Sequence, residues 1–286
     1  MKKKLMVAIS VLFTGITLVA CGNSEDAGEG PDKLAQIQEA GELVIGTSPD
    51  YPPFEFYILD ENGDRQIVGS DIKLAEAIAA EIGVELKITA TDFDGVIANI
   101  QSKSVDMGIA GFNYTKERAN VMNFSEGYTQ ESTIGYQGLM MTAENAAKFE
   151  SLDEIKDAGL TLGAQTGAIQ YELAQDLTDT KNIKQYGTLD VGLAALNEGD
   201  IDGMVVATSS AEPMLATFSN LTILPKETFN LDPEDKYNQV MVGFPLGDEY
   251  ASLIDLTNKV IAQAIENNEI EEWQAEAQAL SIEAVE

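Results

Sequence analysis

From residue 34 onward, short runs rich in Val, Ile and Leu alternate with segments whose apolar residues recur at helical spacing. Leu43 to Thr47 reads as a strand. Asp71 to Ile82 puts Ile72, Ala75, Ile78, Ala79 and Ile82 on one stripe, and Gly83 ends that helix as its cap. Val84 to Thr89 predicts a strand, Phe93 to Gln101 a helix and Val105 to Ala110 a third strand. This β-α-β-α-β order is the signature of a largely parallel sheet with helices on both faces.

The order then repeats. Strands are predicted at Leu160 to Ala164, Ile183 to Tyr186, Gly203 to Val206 and Val240 to Phe244, and helices at Ala168 to Leu177, Asp190 to Asn197 and Ser209 to Phe218. Two amphipathic helices, Asp248 to Asn267 and Ile270 to Ala279, close the chain. Two α/β units with a cleft between them is the economical architecture. Ligands of open α/β sheets sit at the carboxyl ends of strands, so the loops after Thr47, Ala110, Ala164 and Val206 are the places to look for a site.

Residues 1–20 break this pattern. Lys2, Lys3 and Lys4 precede the apolar run LMVAISVLFTGITLVA, which ends in small residues before Cys21, the only cysteine. The run is short for a membrane span and reads as a secretory signal. It resembles a bacterial lipoprotein signal, which implies cleavage before Cys21 and a diacylglycerol on its sulfur. Two or three acyl chains then hold the protein to the membrane, since one alone binds only marginally. Residues 22–32, GNSEDAGEGPD, have no apolar side chain larger than alanine, so 21–33 is expected to be a flexible linker.

Charge and composition narrow the functions. The chain carries 17 basic and 48 acidic residues, a formal charge of −31, and loss of the three signal lysines deepens it by three. Such a field repels phosphate backbones, so no nucleic-acid partner is expected. The absence of histidine removes the Ser/His/Asp triad, the Cys/His pair and the His-ligated zinc site. Neither a DxDxDG loop, a GxxxxGK(S/T) loop, a GxGxxG turn nor a GxSxG elbow occurs. No enzyme, metal or cofactor is expected on these grounds.

Three segments carry a resemblance to a known family: VIGTSPDYPPFEF (44–56), VGSDIKLAEAIAAEIG (68–83) and FDGVIANIQSKSVDMGIAGFNYTKERANVMNFSEGY (93–128). The last follows the pattern F-D-x-L-I-x-x-L, then T-x-x-R and F-S-x-x-Y. From about Gly41 to Trp273 the chain resembles the polar amino acid-binding branch of the ABC-importer solute-binding proteins, family 3. The resemblance implies a type II periplasmic-binding-protein-like fold: lobe 1 from 34–131 and 236–286, lobe 2 from 132–235, and a two-strand hinge near 131–133 and 236–239. It also implies a monomer that captures an amino acid on the outer face of the bacterial cytoplasmic membrane, lipid-anchored, and hands it to the transmembrane subunits of an ABC permease. The setting is Gram-positive, or periplasmic if Gram-negative.

By position, Arg118 is the implied clamp for the ligand carboxylate, a role that suits a planar guanidinium with its paired N–H donors. Ala110 and Gly111 would offer backbone groups and Asn113 a side-chain donor, while Ser48 falls in the first binding loop. Tyr51 and Phe93 match aromatics that sandwich the ligand side chain. In lobe 2, Gly167 matches a glycine that opens an anion-binding helix, so backbone donation is expected from Ala168, Ile169 and Gln170, with Thr166 as a substitute hydroxyl.

One departure is larger. The family aspartate that receives the ligand's α-ammonium aligns with Ala207, and a buried ammonium without a counter-charge is costly. Asp50, Glu55 and Glu212 are the candidate replacements, unranked by sequence. The same residues fit two alternatives: a same-fold enzyme of the cyclohexadienyl dehydratase type, in which a carboxylate is the general acid, and a sensor or adhesin lipoprotein.

Overall fold

In the computed structural model, residues 32–284 are described; the signal segment, Cys21 and the linker up to residue 31 lie outside them. The helix Lys33–Ala40 starts at the last residue of the expected linker. Asp32 caps it by accepting from the Ala35 amide, and Lys33 pairs with Asp106 at 2.6 Å.

The first sheet has Glu85–Ala90, Glu42–Thr47 and Met107–Asn113 as parallel neighbours. The strand Gln239–Pro245 then runs antiparallel to Met107–Asn113, to Met122–Phe124 and to Thr129–Gln130. Side chains alternate across this sheet and both faces are covered. On one face the helix Ser70–Ile82 contributes Leu74 and Ile78, with Leu253 and Ile261 from Ala251–Glu266 and Ile270 from Glu269–Leu280. On the other lies the helix Phe93–Gln101, whose Val96 and Ile100 are fully buried.

The second sheet follows the same logic. Ile183–Tyr186, Leu162–Gln165 and Gly203–Ala207 are parallel, while Gln137–Thr142 is antiparallel to Gly203–Ala207 and to Leu221–Ile223. In the central strand Val205 faces a core with Leu139, Ile155 and Leu173, whereas Met204 and Val206 face Met140, Leu193 and Leu196. A third, three-stranded meander of Asp50–Tyr51, Glu55–Leu59 and Arg65–Val68 stands apart from both.

These are two α/β lobes with mixed sheets. The expectation of largely parallel sheets holds for three strands in each. The antiparallel additions arise where the chain passes from one sheet to the other, between Gln130 and Gln137 and back between Ile223 and Gln239. There the two passing segments are bonded together: the Glu131 amide donates to the Asn238 carbonyl at 2.8 Å and the Ser132 amide to Asn238 Oδ1 at 2.7 Å.

Several predicted elements shift. The strand expected at 105–110 runs instead from Met107 to Asn113. The helix expected over 209–218 is split into Thr208–Ala211 and a 3-10 turn, Pro213–Ala216, because proline lacks the amide hydrogen a continuous helix needs. The long helix begins at Ala251 after a 3-10 turn over Asp248–Tyr250. Among the described residues no helix is long and apolar enough to cross a membrane.

Candidate ligand-binding site

The loops at the carboxyl ends of the parallel strands face each other across the two lobes and leave a small cavity of about 20 Å³ between them. From the first lobe Ser48, Tyr51, Phe93, Ala110, Gly111, Asn113 and Arg118 line this space, and from the second Ala168, Ile169 and Gln170. Asp50, Glu55 and Gln165 complete the lining. Thr166 and Ala207 are not part of it.

Arg118 sits in the short helix Lys116–Ala119, which Thr115 caps by accepting from the Arg118 amide at 3.1 Å. That cap turns the side chain back over the sheet, where it is only 7% exposed. The guanidinium carbon lies 5.1 Å from the Phe93 ring centre and 5.6 Å from that of Phe112. Nη1 donates to the Asn113 carbonyl at 2.7 Å, and Nη2 crosses the cleft to the Gly167 carbonyl at 3.0 Å. Neither acceptor carries a formal charge; the charge of Glu172 acts on the cation from nearby without a direct ion pair among the described residues. Burial lowers its pKa to about 10, which leaves it cationic at neutral pH. A guanidinium has five N–H donors, and two are spent here. The remainder suit an incoming carboxylate.

Asp50 is the second cross-cleft residue. Its Oδ1 accepts from Ser48 Oγ at 2.6 Å, and its Oδ2 accepts from Gln165 Nε2 at 2.9 Å and from the Leu189 amide at 2.7 Å. Burial raises its pKa to about 6, against those hydrogen bonds. Behind it, Asp71 accepts from Tyr128 Oη at 2.6 Å and from the Gly111 amide at 3.0 Å, and burial lifts it to about 6 as well. Glu55 is wholly buried, and desolvation, then the charges of Asp71 and Asp50, push it well above the usual carboxylate range.

The amide group of Asn113 donates to the Tyr237 carbonyl of the passing segment at 2.7 Å while the residue lines the cavity. Two expected contacts are placed differently from the sequence reading. Thr166 turns its hydroxyl to the Tyr186 carbonyl at 3.1 Å, because it follows the strand whose last residue, Gln165, pairs with Tyr186. Ala207, the last residue of its strand, is 1% exposed inside the second lobe. Ala168 caps the helix Ile169–Gln175, and its own amide donates to the Gln165 carbonyl at 3.2 Å. Of the three acids considered as replacements for the family aspartate, Asp50 and Glu55 reach the cavity, whereas Glu212 lines a separate groove. Sequence reasoning did not find Gln165, whose partner lies 115 residues away. No local signal marks such a pair.

Two lobes of this construction, closing on one buried polar cavity, define a two-lobed binding protein with the type II periplasmic-binding-protein fold. Residues 43–276 match the bacterial extracellular solute-binding proteins, family 3, and the chain belongs to that family. It is similar to the arginine-binding extracellular protein ArtP of Bacillus subtilis (strain 168), 33% identical over 184 residues that span 64% of each protein. A probable histidine-binding protein of Campylobacter jejuni is 27% identical over 79% of this chain and 82% of its own. Among solved structures, the amino acid ABC transporter substrate-binding protein AbpA of Streptococcus pneumoniae, bound to L-arginine, superposes with a TM-score of 0.77 at 29% identity, covering 87% of this chain and 99% of its own. These relatives are described as solute-binding proteins. An ancestral precursor of cyclohexadienyl dehydratase shares the fold at 24% identity.

Proposed function

We propose that this protein is the lipid-anchored substrate-binding component of an ABC importer, and that it captures an amino acid by closing its lobes around the Arg118 cavity. The observation that carries the reading is Arg118 itself: a buried guanidinium with no direct ion pair among the described residues that touches both lobes. A ligand carboxylate that takes the remaining donors binds the closed arrangement better than the open one and so shifts the population toward closure. The lobes are 34–131 with 236–286, and 132–235. Their hinge lies at the bonded segments around Glu131 and Asn238. The names of its relatives support an amino-acid ligand and an ABC-transporter setting. Delivery then falls to the permease subunits, which read the closed form.

Attachment to the outer face of the cytoplasmic membrane through Cys21 fits the lysine-led apolar segment before it. Cys21→Ala would release the protein from the membrane fraction if that reading holds; unchanged fractionation would reject it.

The ligand is tested by thermal shift of the purified protein against the twenty amino acids with ornithine, citrulline and cystine. Ligand at about 100 times its Kd adds about 2.7 kcal/mol of stability. A selective rise identifies the ligand. No rise with any of them rejects amino-acid capture.

A further inference from the structure

We propose that Tyr237 is a positioning residue for the Arg118 cavity: it ties the hinge to the second-lobe helix Ile169–Gln175 and so sets where that helix meets Arg118. The inference rests on the reading of the Arg118 cavity as the capture site. Tyr237 itself is not among the residues that line the cavity.

Tyr237 lies on the segment that returns from the second lobe to the first, and its ring is buried in the second-lobe core that holds Leu173 and Phe229. Asp232 fixes its backbone: Oδ1 accepts from the Lys236 amide at 2.9 Å and Oδ2 from the Tyr237 amide at 2.7 Å. The Tyr237 carbonyl then accepts from Asn113 Nδ2 at 2.7 Å, at the end of the first-lobe strand Met107–Asn113. The Tyr237 hydroxyl donates to Glu172 Oε2 at 2.6 Å, in the helix Ile169–Gln175, and its oxygen accepts from Lys236 Nζ. One residue thus reaches the first lobe through its main chain and the second through its side chain.

These bonds belong to a circuit that begins and ends on Arg118. Its Nη1 is held by the Asn113 carbonyl, the Asn113 side chain by the Tyr237 carbonyl, and the Tyr237 hydroxyl by Glu172. The helix that carries Glu172 follows Gly167 and Ala168, and the Gly167 carbonyl accepts from Arg118 Nη2. That last link spans the cleft and forms on closure. The others lie at the hinge and inside the second lobe, and they set the line along which the helix approaches Arg118. Ala168, Ile169 and Gln170, at the start of the same helix, line the cavity, so the approach of the helix is also the approach of one cavity wall. The charge of Glu172 acts on Arg118 as well, so the hydroxyl that fixes this carboxylate steadies the field at the guanidinium. Binding groups have to be held within about 0.5 Å of their productive places by neighbours that are themselves locked. A tyrosine that served the core alone would need only its ring and some partner for its hydroxyl. Here the carbonyl and the hydroxyl lead to opposite walls of one cavity.

The test uses Tyr237→Phe, which keeps the ring in the core and removes the hydroxyl, Glu172→Ala, which removes the acceptor from a half-buried helix position, and the double variant. The twenty common amino acids with ornithine, citrulline and cystine are titrated into the unaltered protein by calorimetry. Each that binds is titrated into the three variants, with association and dissociation rates read by stopped flow. Tyr237→Phe is expected to bind about tenfold more weakly, with the loss in the dissociation rate, the association rate within about threefold, and the ligand-free Tm within about 2 °C of the unaltered protein. Glu172→Ala should lose a similar factor, and the double variant no more than the larger single loss, because the two groups act through one bond. A purely structural tyrosine would lower the ligand-free Tm and leave the affinity alone, and that result overturns the proposal. Losses that multiply in the double variant overturn it too, since the hydroxyl and the carboxylate would then act separately. Should Tyr237→Phe fail to fold, Glu172→Ala decides, and affinity within threefold in that variant overturns the proposal while amino-acid capture stands. If the unaltered protein binds nothing in the panel, the reading of the cavity falls and this inference falls with it.

Discussion

Asp50 Oδ2 accepts from Gln165 Nε2 at 2.9 Å across the cleft, and the same oxygen accepts from the Leu189 amide at 2.7 Å. One carboxylate of the meander thus fastens the end of a strand and the start of a helix in the opposite lobe. Hydrogen bonds to a charged group contribute about 1.5 to 3 kcal/mol each when sheltered. They exist only when the lobes meet, so they bear on closure and not on the stability of either lobe. Asp50→Ala is expected to weaken ligand binding about tenfold or more and to enlarge the solution radius of gyration. Titration calorimetry with small-angle scattering checks both. An unchanged affinity with an unchanged radius would show that the fastening is incidental.

Arg118 makes a sharper prediction. Arg118→Ala removes the buried cation together with its contacts to Phe93 and Phe112. Loss of one partner of a buried charge pair costs about 2 to 5 kcal/mol, so the ligand should bind at least about thirtyfold more weakly. Arg118→Lys is expected to recover only part of this, since an ammonium cannot present paired donors in one plane. Titration of the two variants separates charge from geometry. Equal binding by the lysine variant would mean that charge alone is read.

Much of this arrangement was legible in the chain, for reasons that differ by element. Phe93–Gln101 matches its predicted bounds because its apolar stripe is strong, and Asp92 caps it by accepting from the Gly95 amide at 2.9 Å. Gly83 ends its helix in the left-handed conformation at φ 84°, as a cap glycine should. The interior strand Gln137–Thr142 was not read, since in QGLMMT only the last residue, Thr142, is β-branched and the strand is held by two antiparallel neighbours far away in sequence. The meander escaped although EFYIL and RQIV favour strands, because its strands are only two, five and four residues long. At the site, the spacing T-x-x-R placed Arg118 in the cavity wall, whereas the cross-cleft pair of Asp50 and Gln165 exists only once both lobes are folded and facing. The directions of the Thr166 hydroxyl and the Asn113 amide are set by neighbouring backbone carbonyls, which a pattern of residue types does not encode.

Gly69 is a position where the meander depends on one residue type. Its φ is 135°, a region L side chains rarely adopt, and a Cβ there would collide with the Phe54 backbone. The Ser70 and Asp71 amides beside it donate to the Pro53 and Phe54 carbonyls, so the backbone cannot move aside without releasing the start of the helix that carries Asp71. Gly69→Ala is therefore expected to cost about 1 to 3 kcal/mol, read as a lowered Tm. Because the same junction positions Glu55 and Asp71, ligand affinity should fall with it. A variant as stable as the parent would contradict the close approach.

Glu131 connects the hinge to pH. Its carboxyl is 4% exposed, and Oε1 accepts from Ser209 Oγ at 2.7 Å. Burial raises its pKa to about 7, more than the Ser209 hydrogen bond and the charge of Lys226 lower it. A carboxyl with a raised pKa binds its proton more tightly folded than unfolded. Its favourable contribution is complete below the unfolded value near 4.5 and is lost as pH rises through about 7. At about 1.4 kcal/mol per pKa unit the loss is roughly 3 to 4 kcal/mol. Asp50 and Asp71, both near 6, act in the same direction over a lower window, and the surface acids add their own repulsion as they ionise. The contribution of Glu131 is isolated by comparing the protein with Glu131→Gln from pH 4.5 to 8. Glutamine imitates the protonated acid, so the two should have similar Tm values at the acid end and diverge toward pH 8, with the variant more stable there. A constant difference across the range would mean that Glu131 is already ionised at pH 4.5 and that its burial is compensated by groups other than Ser209 and Lys226.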